Sequence, residues 1–91
     1  MKEQTVTVTN PTGLHLRTAG ILCEEAMRFR SHVTFTYRDG REANAKSLLS
    51  ILGACVKSGD TIHLICEGED EEDALAALSE LIRSGFQDAL P

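Results

Sequence analysis

Two residues near the N-terminus have types and spacing suited to phosphate chemistry. His15 and Arg17 stand two apart in the run NPTGLHLRTAG, residues 10–20. An imidazole nitrogen can take a phosphoryl group, and a guanidinium can fork onto two of its oxygens with a geometry lysine lacks. The neighbouring letters say where these groups sit. The stretch NPTG is a turn, because Pro11 presets its φ and Gly13 allows an unusual backbone angle. Helical spacing begins at Leu16, so His15 falls at or just before the first helical residue. The first amides of a helix, those of Leu16 and Thr18 among them, have no intrahelical acceptor. Together with the macrodipole they make a site for an anion, phosphate above all. The same positive end disfavours an imidazolium, which leaves His15 a neutral nucleophile.

Other residues of similar chemistry lack such a setting. His32 and His63 lie on predicted strands, on the solvent side, and their separation gives no metal-ligand pattern. Cys23, Cys55 and Cys66 are odd in number, far apart and without a C-x-x-C pair. That argues against zinc or a redox dithiol and for small buried thiols in a reducing cytosol. No metal or cofactor is expected.

The elements that must position His15 follow from hydrophobic periodicity. EQTVTVT alternates as a strand, with Val6 and Val8 on one face. From Leu16 to about Phe29, Ala19, Leu22, Cys23, Ala26 and Phe29 step by three or four along one helix face. Val33, Phe35 and Tyr37 alternate before Asp39-Gly40, a tight-turn signal for a hairpin of two antiparallel strands. Ser47 can cap a short helix carrying Leu48, Leu49, Ile51 and Leu52, which stops near Gly53. TIHLICE is a strand with Ile62, Leu64 and Cys66 on one face. The last helix has Asp70 at its N-cap, Glu71, Glu72 and Asp73 at the positive end of its dipole, and Arg83 and Gly85 as stop signals. The order β-α-β-β-α-β-α, with one buried face per strand, predicts an α+β open-faced sandwich: an antiparallel four-stranded sheet under three helices.

Composition narrows the partners. The 91 residues suit a single domain spanning residues 1–91. Nine basic against fourteen acidic residues leave a net charge of −5. That argues against nucleic acid and against an anionic membrane surface. No apolar run approaches the ~20 residues of a membrane helix, and the N-terminal strand pattern lacks a signal-peptide core.

Two motifs in register then carry a resemblance that covers nearly the whole chain. VTVTNPTGLHLRTAG and NAKSLLSILGACVKSGDTIHLICEGEDEEDAL resemble the active-site loop and the serine-site region of HPr, the histidine-containing phosphocarrier family of the bacterial phosphoenolpyruvate:sugar phosphotransferase system. The resemblance implies a carrier and not a free-standing enzyme. His15 would receive a phosphoryl group from enzyme I and pass it to enzyme IIA, assisted by Arg17. Ser47 would be the site of HPr kinase/phosphorylase in bacteria that have that regulator. Leu48, Leu49 and Leu52 would supply apolar docking contacts. A cytoplasmic, monomeric shuttle is implied.

The sequence departs from the family pattern at Thr18, where most members have proline, and Leu16 replaces a commonly small residue. Thr18 restores an N–H and adds a hydroxyl. Either that hydroxyl donates to a phosphoryl group on His15, or the junction loosens without proline. The departure also keeps open a regulatory protein of the same fold, controlled by phosphorylation at Ser47 or His15. A ligand-binding module unrelated to phosphate is a third reading, which predicts a pocket.

Overall fold

Alternation of side chains along four short strands produces the sheet. A computed structural model describes residues 1–87. Its strands are β1 (Lys2–Thr7), β2 (His32–Tyr37), β3 (Arg41–Asn44) and β4 (Thr61–Glu67), and its helices are α1 (Leu16–Ala26), α2 (Leu48–Gly53) and α3 (Glu71–Arg83). All pairings are antiparallel and the strand order is β1-β4-β2-β3. Register sets Val6 opposite Ile62, Phe35 opposite Leu64, and Val33 opposite Cys66 on the inner face. The alternate residues Thr5, His63 and Thr36 line up on the outer face, across β1, β4 and β2. The expected α+β open-faced sandwich is therefore present, with the three helices covering the inner face.

The core lies between sheet and helices. Phe35, Leu64, Leu22, Ile51, Leu78 and Ile82 are fully buried. Each such side chain removed from water contributes about 1.5–3 kcal/mol, and this holds the short helices on the sheet.

Several boundaries differ from the sequence expectation. β1 ends at Thr7, yet Val8 is fully buried. Its backbone leaves the β1–β4 ladder and bonds the turn before β4 instead, through Val8 N to Asp60 O at 2.9 Å and Gly59 N to Val8 O at 2.8 Å. Helix α1 stops at Ala26, short of Phe29, and tightens into i→i+3 bonds from Arg28 N to Glu25 O and Phe29 N to Ala26 O. Phe29 still packs against the core, which is why the helical spacing seemed to run on.

Asp70 stands at the N-cap of α3, but its side chain caps nothing there. Its carboxylate accepts instead from the amides of Arg30 and Ser31 and from the Ser31 hydroxyl. The thiols also divide. Cys66 is buried and Cys23 half-buried, but Cys55 is exposed, against expectation. It follows α2 with a φ of +52°, a left-handed turn-off from the helix that directs the residue outward.

Candidate functional site

The turn before α1 is built by one glycine and its backing. Gly13 has a φ of +65°, and a Cβ there would meet Val56 O at 2.5 Å. The chain thus needs glycine twice over, for its dihedral and for the close approach of residues 56–57. Leu14 N donates to Val56 O at 2.9 Å, which pins the turn to the loop after α2. Leu14 itself is buried. His15 follows immediately and emerges exposed.

His15 is the N-cap of α1. Its Nδ1 lies 3.4 Å from the Arg17 amide, a long contact in which the ring nitrogen accepts. An accepting Nδ1 fixes the ring proton on Nε2. The first intrahelical bond runs from Ala19 N to His15 O at 2.7 Å. The Thr18 amide also faces the His15 side chain, which with the Thr18 hydroxyl on His15 N makes a reciprocal capping box, while the Leu16 amide donates to no protein acceptor among the described residues. The site therefore brings together an exposed imidazole, its Nδ1 held toward the helix start by the first amides, and the unspent amide of Leu16. Arg17 is exposed, and its guanidinium enters no ion pair among the described residues. An unpaired cation two residues from an exposed imidazole can close on the oxygens of a transferred phosphoryl group.

Thr18 corrects both sequence expectations. Its side chain is 2 % exposed. The hydroxyl donates to Gly13 O at 2.6 Å and accepts from His15 N at 3.2 Å, so it has no proton left for a phosphoryl group. The same bonds tie the helix start to the turn, so the junction is fastened rather than loosened. Sequence reasoning missed the second partner of that carbonyl. Asn10 Nδ2 also donates to Gly13 O, at 2.7 Å. The only signal was an asparagine before Pro11, which reads as a generic turn residue.

Ser47 is where the periodicity placed it. It is the N-cap of α2, and its Oγ accepts from Ser50 N at 3.3 Å. The three leucines behind it separate. Leu49 is 81 % exposed, whereas Leu48 and Leu52 are partly buried against the core. From α1, Leu16 is 66 % exposed. Of the exposed large apolar residues, Leu16 and Leu49 come from the His15 and Ser47 helices, with Leu48 and Leu52 giving only their edges; Met1 and Met27 are exposed too. The other histidines are elsewhere. His32 is exposed on β2, and His63 on the outer face bonds Glu3 Oε1 at 2.6 Å and the Thr5 hydroxyl at 3.2 Å. A shallow groove beside His63 includes neither His15 nor Arg17.

This geometry coincides with a family signature. The family model described as the PTS HPr component phosphorylation site matches residues 2–84. The chain belongs to the PTS HPr family. Among HPr-family proteins, the phosphocarrier protein HPr of Xylella fastidiosa is 39% identical over 88 residues, 97% of this chain and 98% of that protein. The HPr-like protein Crh of Halalkalibacterium halodurans is 43% identical over 82 residues, 90% of this chain and 96% of that one. In three dimensions, HPr from Thermoanaerobacter tengcongensis superposes with a TM-score of 0.91 at 40% identity, over 99% of this chain and 100% of that one. The family is a phosphocarrier family of the phosphotransferase system, and its HPr-like branch is also represented.

Proposed function

We propose that this protein carries a phosphoryl group on His15 within a phosphotransferase chain, accepting it from enzyme I and passing it to enzyme IIA. The observation that carries the reading is the placement of His15 at the N-cap of an eleven-residue helix, with Nδ1 toward the first amides. In the transfer, the Nδ1 lone pair attacks phosphorus and the bond from phosphorus to the donor's histidine nitrogen breaks. The donor nitrogen keeps that electron pair, and the His15 proton stays on Nε2. The phosphoryl oxygens then meet the amides of Leu16 and Thr18 and the Arg17 guanidinium. Such partial stabilisation at an exposed site suits a group that must leave again. The protein is a covalent intermediate in the chain and not an enzyme by itself. Leu16 and Leu49 serve as apolar docking points, with the edges of Leu48 and Leu52. We read the carrier as cytoplasmic and monomeric. A solved relative titled as an HPr dimer, 41% identical, makes measurement of its mass in solution worthwhile.

Incubation with enzyme I and phosphoenolpyruvate tests this. The expected product is an acid-labile, base-stable phosphate on His15, abolished in His15→Ala. A cognate enzyme I that fails to label the protein overturns the reading.

A second reading has specific support in the Crh relatives, 43% and 40% identical. In that reading this protein regulates a transcription factor, kinase or transporter through phosphorylation at Ser47 or at His15. Labelling of Ser47 by HPr kinase and ATP, without any phosphate on His15, favours it. The retained pair of His15 and Arg17 favours the carrier.

A further inference from the structure

The Gly13 carbonyl takes two side-chain donors, Asn10 Nδ2 at 2.7 Å and the Thr18 hydroxyl at 2.6 Å. A hydroxyl has one proton. Because Thr18 spends it on Gly13, its oxygen is left to accept from the His15 amide, at 3.2 Å. The backbone of His15 is thereby tied, through one hydroxyl, to the carbonyl that Asn10 also holds. Asn10 is 5% and Thr18 2% exposed, so water does not compete for these bonds. Asn10 is a costly residue to keep there. Its Oδ1 is buried with no protein partner among the described residues. A buried amide with an unspent oxygen destabilises a fold, so core stability does not account for it. What it contributes is the bond from its nitrogen to Gly13.

We propose that Asn10 and Thr18 are positioning residues for phosphoryl transfer, clamping the Gly13 carbonyl so that His15 presents Nδ1 to the start of α1. The inference rests on His15 being the phosphoryl acceptor. Neither side chain touches the reacting atoms; Thr18 meets the phosphoryl group only through its backbone amide. Without the Thr18 hydroxyl, the His15 amide loses its acceptor and Gly13 loses one of two donors. The imidazole then turns through orientations in which phosphoryl oxygens miss the amides and Arg17, and transfer is sensitive to placement on the ångström scale.

Thr18→Val keeps the shape and removes the hydroxyl, Thr18→Ser keeps the hydroxyl, and Asn10→Ala removes the second donor. Two measurements use the unphosphorylated protein: hydrogen exchange of the His15 amide and the nitrogen NMR spectrum of its ring. Two use enzyme I and phosphoenolpyruvate: the transfer rate and the lifetime of phosphohistidine. In Thr18→Val the His15 amide is expected to exchange faster and the Nδ1-accepting ring signature to weaken. The maximal transfer rate should fall about tenfold, with KM for the carrier unchanged because the docking surface is intact. Thr18→Ser should restore all of these, and Asn10→Ala should show a smaller loss of the same kind. Wild-type exchange and transfer in Thr18→Val, or a loss that Thr18→Ser does not rescue, overturns the proposal. If Thr18→Val fails to fold, Asn10→Ala decides by the same criteria. If the wild type takes no phosphoryl group, the acceptor reading fails by itself. The exchange and ring spectra then still show whether the clamp orients His15.

Discussion

The Asp70 carboxylate accepts from the Ser31 hydroxyl at 2.6 Å, joining the first residue before α3 to the junction of α1 and β2. Bonds from the Ser31 and Arg30 amides, both at 2.9 Å, complete the knot. The Ser31 hydroxyl, with the Arg30 amide next in weight, holds the Asp70 carboxyl down at about 2, from an ordinary 3.8. The sign follows from linkage. A depressed carboxyl stabilises the fold above its unfolded value, and that stability drains away as pH falls through the folded value. The urea midpoint of the wild type should therefore drop between pH 3.8 and about 2. Asp70→Ala should lower the midpoint at pH 7 and show a shallower acid dependence. Parallel acid profiles for the two proteins would show that other carboxylates dominate.

Arg17 should matter for transfer and not for stability. Its guanidinium enters no ion pair among the described residues, so Arg17→Ala should leave the unfolding midpoint unchanged. A charged hydrogen bond is worth about 1.5–3 kcal/mol, which predicts a transfer rate roughly tenfold to a hundredfold lower. Arg17→Lys should recover only part, since an ammonium cannot fork. Single-turnover phosphotransfer from enzyme I measures both.

Gly13→Ala should damage fold and site together. The added carbon would come 2.5 Å from Val56 O in a backbone region unfavourable to alanine. Strain of this kind costs of order 1–3 kcal/mol. Relief requires the loop at residues 56–57 to withdraw, which breaks the Leu14 N to Val56 O bond. Urea unfolding should show the loss, and amide exchange at Leu14 should accelerate. An unchanged midpoint would mean the two loops are not wedged as described.

The thiols should differ in reactivity. Burial, with Asp70 and Glu71 adding to it, pushes the Cys66 thiol up to about 11. Cys66 should resist a thiol reagent at neutral pH until the protein unfolds. Cys55 is exposed and should give the fast phase, which Cys55→Ser removes. A native Cys66 that reacts as fast as Cys55 would contradict the burial.

What the sequence disclosed was whatever local rules determine. Asp39-Gly40 marked the hairpin, Ser47 marked the start of α2, and the start of α1 just after His15 followed from Gly13 and the apolar spacing after it. What it withheld depends on partners distant in the chain. The Asp70 carboxylate had a nearby role to play as a cap, and sequence could not show that Arg30 and Ser31, about forty residues earlier, would claim it. Thr18 had two plausible fates until the Gly13 carbonyl was seen to lie 2.6 Å from its hydroxyl. Cys55 looked like core because a lone cytosolic cysteine without a pairing partner is most often a small buried thiol. The left-handed residue after α2 turned it outward.

The strand order has a consequence for when the histidine becomes usable. His15 is made early in synthesis, but β1 pairs with β4, and the turn before α1 rests on residues 56–57. Contacts between such distant segments close late, because a long loop must be shut before they form. A half-made chain shows the histidine on an unsupported loop. If His15 carries a phosphoryl group as proposed, competence for it is tied to completion of the sheet, and charging would report that the molecule has finished folding.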